Sequence, residues 1–176
     1  MYKIIFLITS CLIISACQPV IVADEDSVYY RVPIGSTLQL NQQLSIPPNK
    51  ARVFIQYGQL MSYKAIDKYQ PHCEFEINTL KESIQYIEPD QFEIYRVSTD
   101  YRDVSLQFLY ASLTMGDEDY GLPIVGFTTE LFLRSRHQPD VRKLSCLHWD
   151  GPKADHLSIN QMKKVLGDIF TLQLAK

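Results

Sequence analysis

The 176-residue chain contains no run of the roughly 20 apolar residues that a membrane-spanning helix needs; residues 4–14 come nearest and are broken by Thr9, Ser10 and Cys11. Positive charge is short as well: 17 Lys and Arg stand against 20 Asp and Glu, for a net charge of −3. Phosphate backbones are held by an excess of basic side chains on one face, and no polybasic run occurs, so nucleic acid is excluded as a partner. The local fingerprints of the commonest catalytic and nucleotide sites are missing too, whether GxSxG, HExxH, the phosphate-binding P-loop or the dinucleotide glycines. The sequence therefore offers no catalytic, cofactor or metal-binding set, although carboxylates brought together from distant strands would leave no local trace.

What is present begins at the amino terminus. Lys3, the apolar stretch to Ile14 and the small residues before Cys17 follow the three-part layout of a secretory signal. Within it, Ile14-Ser15-Ala16-Cys17 resembles the lipobox of bacterial lipoproteins. The resemblance implies cleavage before Cys17 and acylation of both its thiol and its new amino group. At about 0.8 kcal/mol per buried methylene, several acyl chains make an essentially permanent anchor. Gln18 in place of Asp is similar to the pattern of Gram-negative lipoproteins sent to the outer membrane; in a Gram-positive cell the same anchor would sit on the outer face of the only membrane. The expected organisation is a lipoprotein signal peptide over 1–16, a lipidated N-terminus and tether over 17–27, and a single β-rich domain over 28–176. Loss of Lys3 leaves 16 basic against 20 acidic side chains, a charge of −4. Two further runs, Ile46-Pro47-Pro48 through Gln56 and Tyr69-Gln70-Pro71-His72-Cys73-Glu74-Phe75-Glu76, resemble small proteobacterial lipoproteins without an assigned activity.

Four cysteines reduce to two once Cys11 is cleaved away and Cys17 is acylated. Cys73 and Cys146, an even pair in an oxidising compartment, are expected to form a disulfide. His72 and His148 would complete a two-sulfur, two-nitrogen zinc set. Strand parity opposes that reading, because His72 adjoins Cys73 and points to the other face of its strand, whereas His148 shares a face with Cys146.

Period-two alternation bounded by Pro and Gly dominates the rest of the chain. It is clearest at residues 72–78 and 104–110, and weaker at 28–32, 38–46, 52–57, 92–97, 127–134 and 143–149. One helix is well signalled. Ser158 and Gln161 make a capping box, Leu157 and Met162 a hydrophobic staple, and Ile159, Met162, Val165 and Leu166 an apolar stripe, with Gly167 as left-handed terminator. Residues 62–69 give a weaker helical pattern, and 169–174 a last strand. The expected fold is mainly β, an antiparallel sandwich or small barrel with one C-terminal α-helix.

The acidic segment 116–121 lacks the spacing of a calcium loop and reads as a hairpin tip. Asp150, Asp155 and His156 form no recognisable acid–base set with a nucleophile. Ten tyrosines remain after Tyr2 is removed, and a contiguous exposed aromatic patch among them would mark a glycan- or protein-binding surface. The functional expectation is an outer-membrane-anchored periplasmic lipoprotein, attached to the membrane through its acyl chains. It acts as a non-catalytic binding or envelope-assembly module with a protein partner in the envelope. The alternatives are a small apolar-ligand carrier with a β-barrel cavity and, third, an envelope hydrolase.

Overall fold

A computed structural model describes residues 24–105 and 123–175. In chain order the elements are β1 (Thr37–Leu40), β2 (Leu44–Ile46), β3 (Arg52–Gln56), β4 (Gln59–Met61), β5 (His72–Ile77), β6 (Gln85–Ile87), β7 (Gln91–Asp103), β8 (Val125–Arg134), β9 (Val141–Asp150), α1 (Ile159–Leu166) and β10 (Phe170–Gln173). Eight strands form one antiparallel sheet in the order β10-β1-β7-β8-β9-β5-β3-β4, and β2 pairs with β6 separately.

Alternation explains which way each strand faces. Val53 and Ile55 of β3, Cys73 and Phe75 of β5, Leu144 and Cys146 of β9, and Leu131 and Leu133 of β8 are all buried in one hydrophobic cluster. Their neighbours Phe54, Glu74, Lys143 and Glu130 lie on the opposite face. Five strand steps separate β5 from β10, about 24 Å in a flat sheet. Yet the Phe75 ring lies 5.1 Å from that of Phe170 and 5.9 Å from that of Phe92. The sheet is therefore curled into a half-barrel around those rings, neither a two-layer sandwich nor a closed barrel.

Helix α1 packs against β10, β5 and β3, across the concave side. Its capping box forms as the sequence predicts: the Gln161 amide donates to Ser158 Oγ, and the Ser158 amide to Gln161 Oε1 at 2.8 Å. Ile159, Met162, Val165 and Leu166 are all buried. Gly167 ends the helix at φ 53°, ψ −137°, a region that only glycine adopts comfortably, rather than in the left-handed helical well. The reason is crowding. Gly58, in the two-residue turn Tyr57-Gly58 between β3 and β4, donates to Val165 O at 2.9 Å, and a Cβ on Gly167 would come within 2.6 Å of Gly58 Cα.

Several expectations are corrected. Residues 28–32 hold a turn at Val28 and Tyr29 and irregular chain after it, not a strand, since no described strand offers them a ladder. The run 38–46 splits into β1 and β2, which belong to different sheets. Residues 62–69 hold only a 3₁₀ turn, Tyr63–Ala65, because the segment is drawn flat over the sheet. The end of the expected tether is docked: Asn160 N donates to Glu25 O, Asn160 Nδ2 to Asp26 Oδ1, and Lys163 Nζ pairs with Glu25 at 2.5 Å. Of the expected strand 104–110, residues 106–110 lie outside the described residues, as do Cys17 and the acidic segment 116–121.

Candidate functional site

Cys73 and Cys146 face each other directly in the β5–β9 ladder, with Cα atoms 4.0 Å apart, and are joined by a disulfide. This consumes both thiols of the alternative zinc set. His72 pairs in register with Leu147 and lies on the other face from the disulfide. Among the described residues no three His, Cys, Asp or Glu side chains converge as a metal site.

The convex face of the sheet carries the most distinctive surface. Residues 62–71 cross its β3–β9 end as a strap, tied down by Gln56, whose Nε2 donates to Asp67 O at 2.8 Å while its Oε1 accepts from Asp67 N at 3.1 Å. Trp149 N donates to Lys68 O at 2.8 Å. The strap buries His72, whose Nδ1 lies 3.0 Å from Gln70 O; burial is the main force holding its pKa below the ordinary value. It also assembles an aromatic cluster. The Phe54 and Tyr63 rings are 5.4 Å apart, and Tyr69 meets Trp149 edge-on at 5.9 Å. Lys68 Nζ lies 4.6 Å from the Trp149 ring and 5.2 Å from that of Tyr63. Tyr63 and Tyr69 are 57% and 50% exposed, so the two ring pairs, bridged by Lys68, present accessible aromatic surface. Trp149 lies over Gly126, where an added Cβ would stand 3.2 Å from the indole Cδ1.

Farther along the same face, a depression of about 510 Å³ is lined by Tyr95, Arg96, Phe132, Arg134 and Arg142. The Arg96 guanidinium lies 3.6 Å over the Phe132 ring. Arg134 pairs with Glu93 at 2.6 Å, Arg142 with Glu76 at 2.5 Å, and Lys143 with Glu130. Among the described residues Arg96 has no carboxylate partner. Arg134 lowers the Glu93 pKa through their hydrogen bond.

On the concave side, His148 stacks on Phe127 at 5.7 Å, and His156 meets that ring edge-on at 5.6 Å with Nε2 3.1 Å from Asp100 O. Burial holds the His148 pKa low. Its Nδ1 is buried without a partner among the described residues. Asp150 accepts from the adjacent Gly151 amide at 2.6 Å. These groups present aromatic packing and a neutral imidazole, not a nucleophile with an activating base.

Lys68, Trp149, Arg96 and Phe132 escaped the reading of the sequence. Parity could have placed two of them, since an inward Cys146 turns Trp149 outward and an inward Leu131 does the same for Phe132. The strap that gathers Tyr63, Lys68 and Tyr69 follows from no local pattern. No family model, curated protein or solved structure matches the chain significantly. Fold likeness therefore lends it no activity.

Proposed function

We propose that this chain is a non-catalytic binding module held at the periplasmic side of a bacterial outer membrane by acyl groups on Cys17. The reading of Cys17 rests on its resemblance to a lipobox. The observation that carries the binding role is the aromatic cluster of Phe54, Tyr63, Tyr69 and Trp149 with Lys68 laid among the rings. Rings of this kind offer large contact area at low entropic cost, and a cation between them adds orientation; both suit an envelope protein partner. Tethering would raise the local concentration of such a surface at the membrane.

Two measurements test the proposal. The full chain should fractionate with membranes and Cys17→Ser with the soluble periplasm; a Cys17→Ser protein that stays membrane-bound removes the anchor. A photo-crosslinking side chain in place of Tyr63 should give a discrete envelope adduct that Trp149→Ala abolishes, whereas one at Tyr29, exposed elsewhere, should not. Equal labelling at both sites would remove the binding face.

A second reading has its own observation. A half-barrel with a helix packed across it is close to the expected architecture of a small apolar-ligand carrier, and the curl speaks more directly for a carrier than for an assembly role. Phe75, Phe92 and Phe170 fill the concave side, so cargo would have to displace core rings. Saturable calorimetric binding of a fatty acid that raises the melting temperature and survives Trp149→Ala would favour the carrier; no binding up to millimolar ligand would reject it.

A further inference from the structure

Among the described residues, the outer half of β7 is a sheet edge without a neighbour. β1 pairs with β7 only from Gln91 to Glu93, and the Gly35 and Ser36 backbone extends that contact to Ile94. β8 covers the opposite edge as far as Asp103. Val104 N donates to Ile124 O at 2.9 Å, so residue 104 bonds toward the β8 side. By ladder alternation Arg102 and Asp100 do the same, while the amides and carbonyls of Thr99, Tyr101 and Asp103 point away from β8. Among the described residues nothing bonds to those outward groups. Ser98 and residues 100–103 are all exposed, Tyr101 at 72%. Proteins usually blunt or cover an edge of this length, because unpaired strand groups template another strand.

The side chains along this edge specify which strand. Asp100 and Arg102 pair on one strand at 3.2 Å and are both well exposed. If a second β7 is laid antiparallel so that Tyr101 faces Tyr101, Arg102 falls opposite Asp100 and Asp100 opposite Arg102. The four charges then alternate in sign around a square. This register also matches outward backbone groups with outward backbone groups and keeps the pleat of the sheet continuous. Pairing over residues 98–104 stays clear of the contact between Ile94 and the Gly35-Ser36 backbone.

We propose that β7 is a homodimerisation edge, on which a second copy of this chain adds its own β7 to make one continuous sheet across a two-fold axis at Tyr101. This rests on the open edge and its charge pattern, independently of the aromatic face and of the lipid anchor. Seven residues a side make a small interface, so the dimer belongs to the weak, reversible class.

Cysteine pairing reads the register directly. In the full chain carrying Cys11→Ser and Cys17→Ser, the only free thiol is the introduced one. Tyr101→Cys should form an intermolecular disulfide under mild oxidation, since facing hydrogen-bonded residues lie about 5.5 Å apart at Cα. Thr99→Cys should not, because the two copies of residue 99 would be roughly 13 Å apart along the strands. Sedimentation should show a concentration-dependent dimer of the unsubstituted chain. Arg102→Asp should weaken it about tenfold or more, by turning two facing pairs into like charges, and Asp100→Arg combined with Arg102→Asp should restore it. Tyr101→Pro should also abolish it without loss of fold, because no described residue bonds to the amide that is removed. A chain that stays monomeric, a dimer indifferent to Arg102→Asp, or crosslinking at residue 99 equal to that at 101 would each overturn the proposal; the first is the result expected if the edge takes a strand from a different protein.

Discussion

His148 and His72 are both histidines that folding takes out of water, one against Phe127 and the other beneath the strap, and burial pushes both pKa values below 6.5. For a base the sign follows directly. Below pH 6.5 the unfolded chain takes up protons that the folded chain resists, so the stabilisation is complete above 6.5 and is lost as pH falls toward the lowered folded values. The melting temperature should therefore fall as the pH is lowered through about 6.5 and below. His148→Phe, which keeps an aromatic ring against Phe127, should flatten that decline. Thermal melts followed by circular dichroism across this range check it, and an unchanged slope in the variant would show that the acid sensitivity lies elsewhere. Asp90 does not confuse the window. Burial opposes its carboxylate, but Ser135, the Gln91 amide and Gln138 donate to it and bring its pKa below 3.8, so its contribution is lost only at lower pH. Neither effect could be read from the chain, because His72 is buried by a strap whose course no periodicity reveals.

At the scale of elements, α1 was legible almost completely and the short strands were not. A helix end is specified within six residues: Ser158 and Gln161 satisfy each other's amides, and Leu157 and Met162 are both buried, so sequence and structure coincide. β4 and β6 hold three residues each and exist through their partners, β3 across the Tyr57-Gly58 turn and β2 across the 38 residues between Ile46 and Gln85. Residues 28–32 show the converse, since they alternate like a strand yet have no ladder to join. Ser158→Ala should cost about 1 kcal/mol through loss of the cap. Gly167→Ala should cost more, about 2 kcal/mol or above, because it adds a Cβ both to a backbone conformation disfavoured for side chains and against Gly58 Cα. Urea titrations should return that order. A smaller loss for Gly167→Ala would mean that the β3–β4 turn yields to the helix end, and the close approach would not be a constraint on the fold.

For the whole molecule, the question is what keeps a sheet with two separate edges curled. The strand order places β5 and β9 side by side, and Cys73–Cys146 crosslinks them at a sequence separation of 73 within the core, both sulfurs buried. The disulfide was legible from an even pair of cysteines in a chain expected to be exported; the curl was not, because it arises from contacts such as Phe75 with Phe170 between residues almost a hundred positions apart. The ladder between β5 and β9 runs through six register pairs, so the architecture does not depend on the crosslink alone. What the crosslink removes is freedom of the unfolded chain, about 4 kcal/mol for a loop of this length. Cys73→Ala combined with Cys146→Ala should therefore keep the β-rich circular dichroism spectrum while melting roughly 10 °C or more lower. Because the sulfurs are buried, a mild reductant should leave the folded protein intact over hours and reduce it only as fast as the core opens, and denaturant should accelerate the reduction. Rapid reduction without unfolding would mean that β5 and β9 separate locally, and the curled sheet would then be held by α1 and the phenylalanine cluster rather than by its central strands.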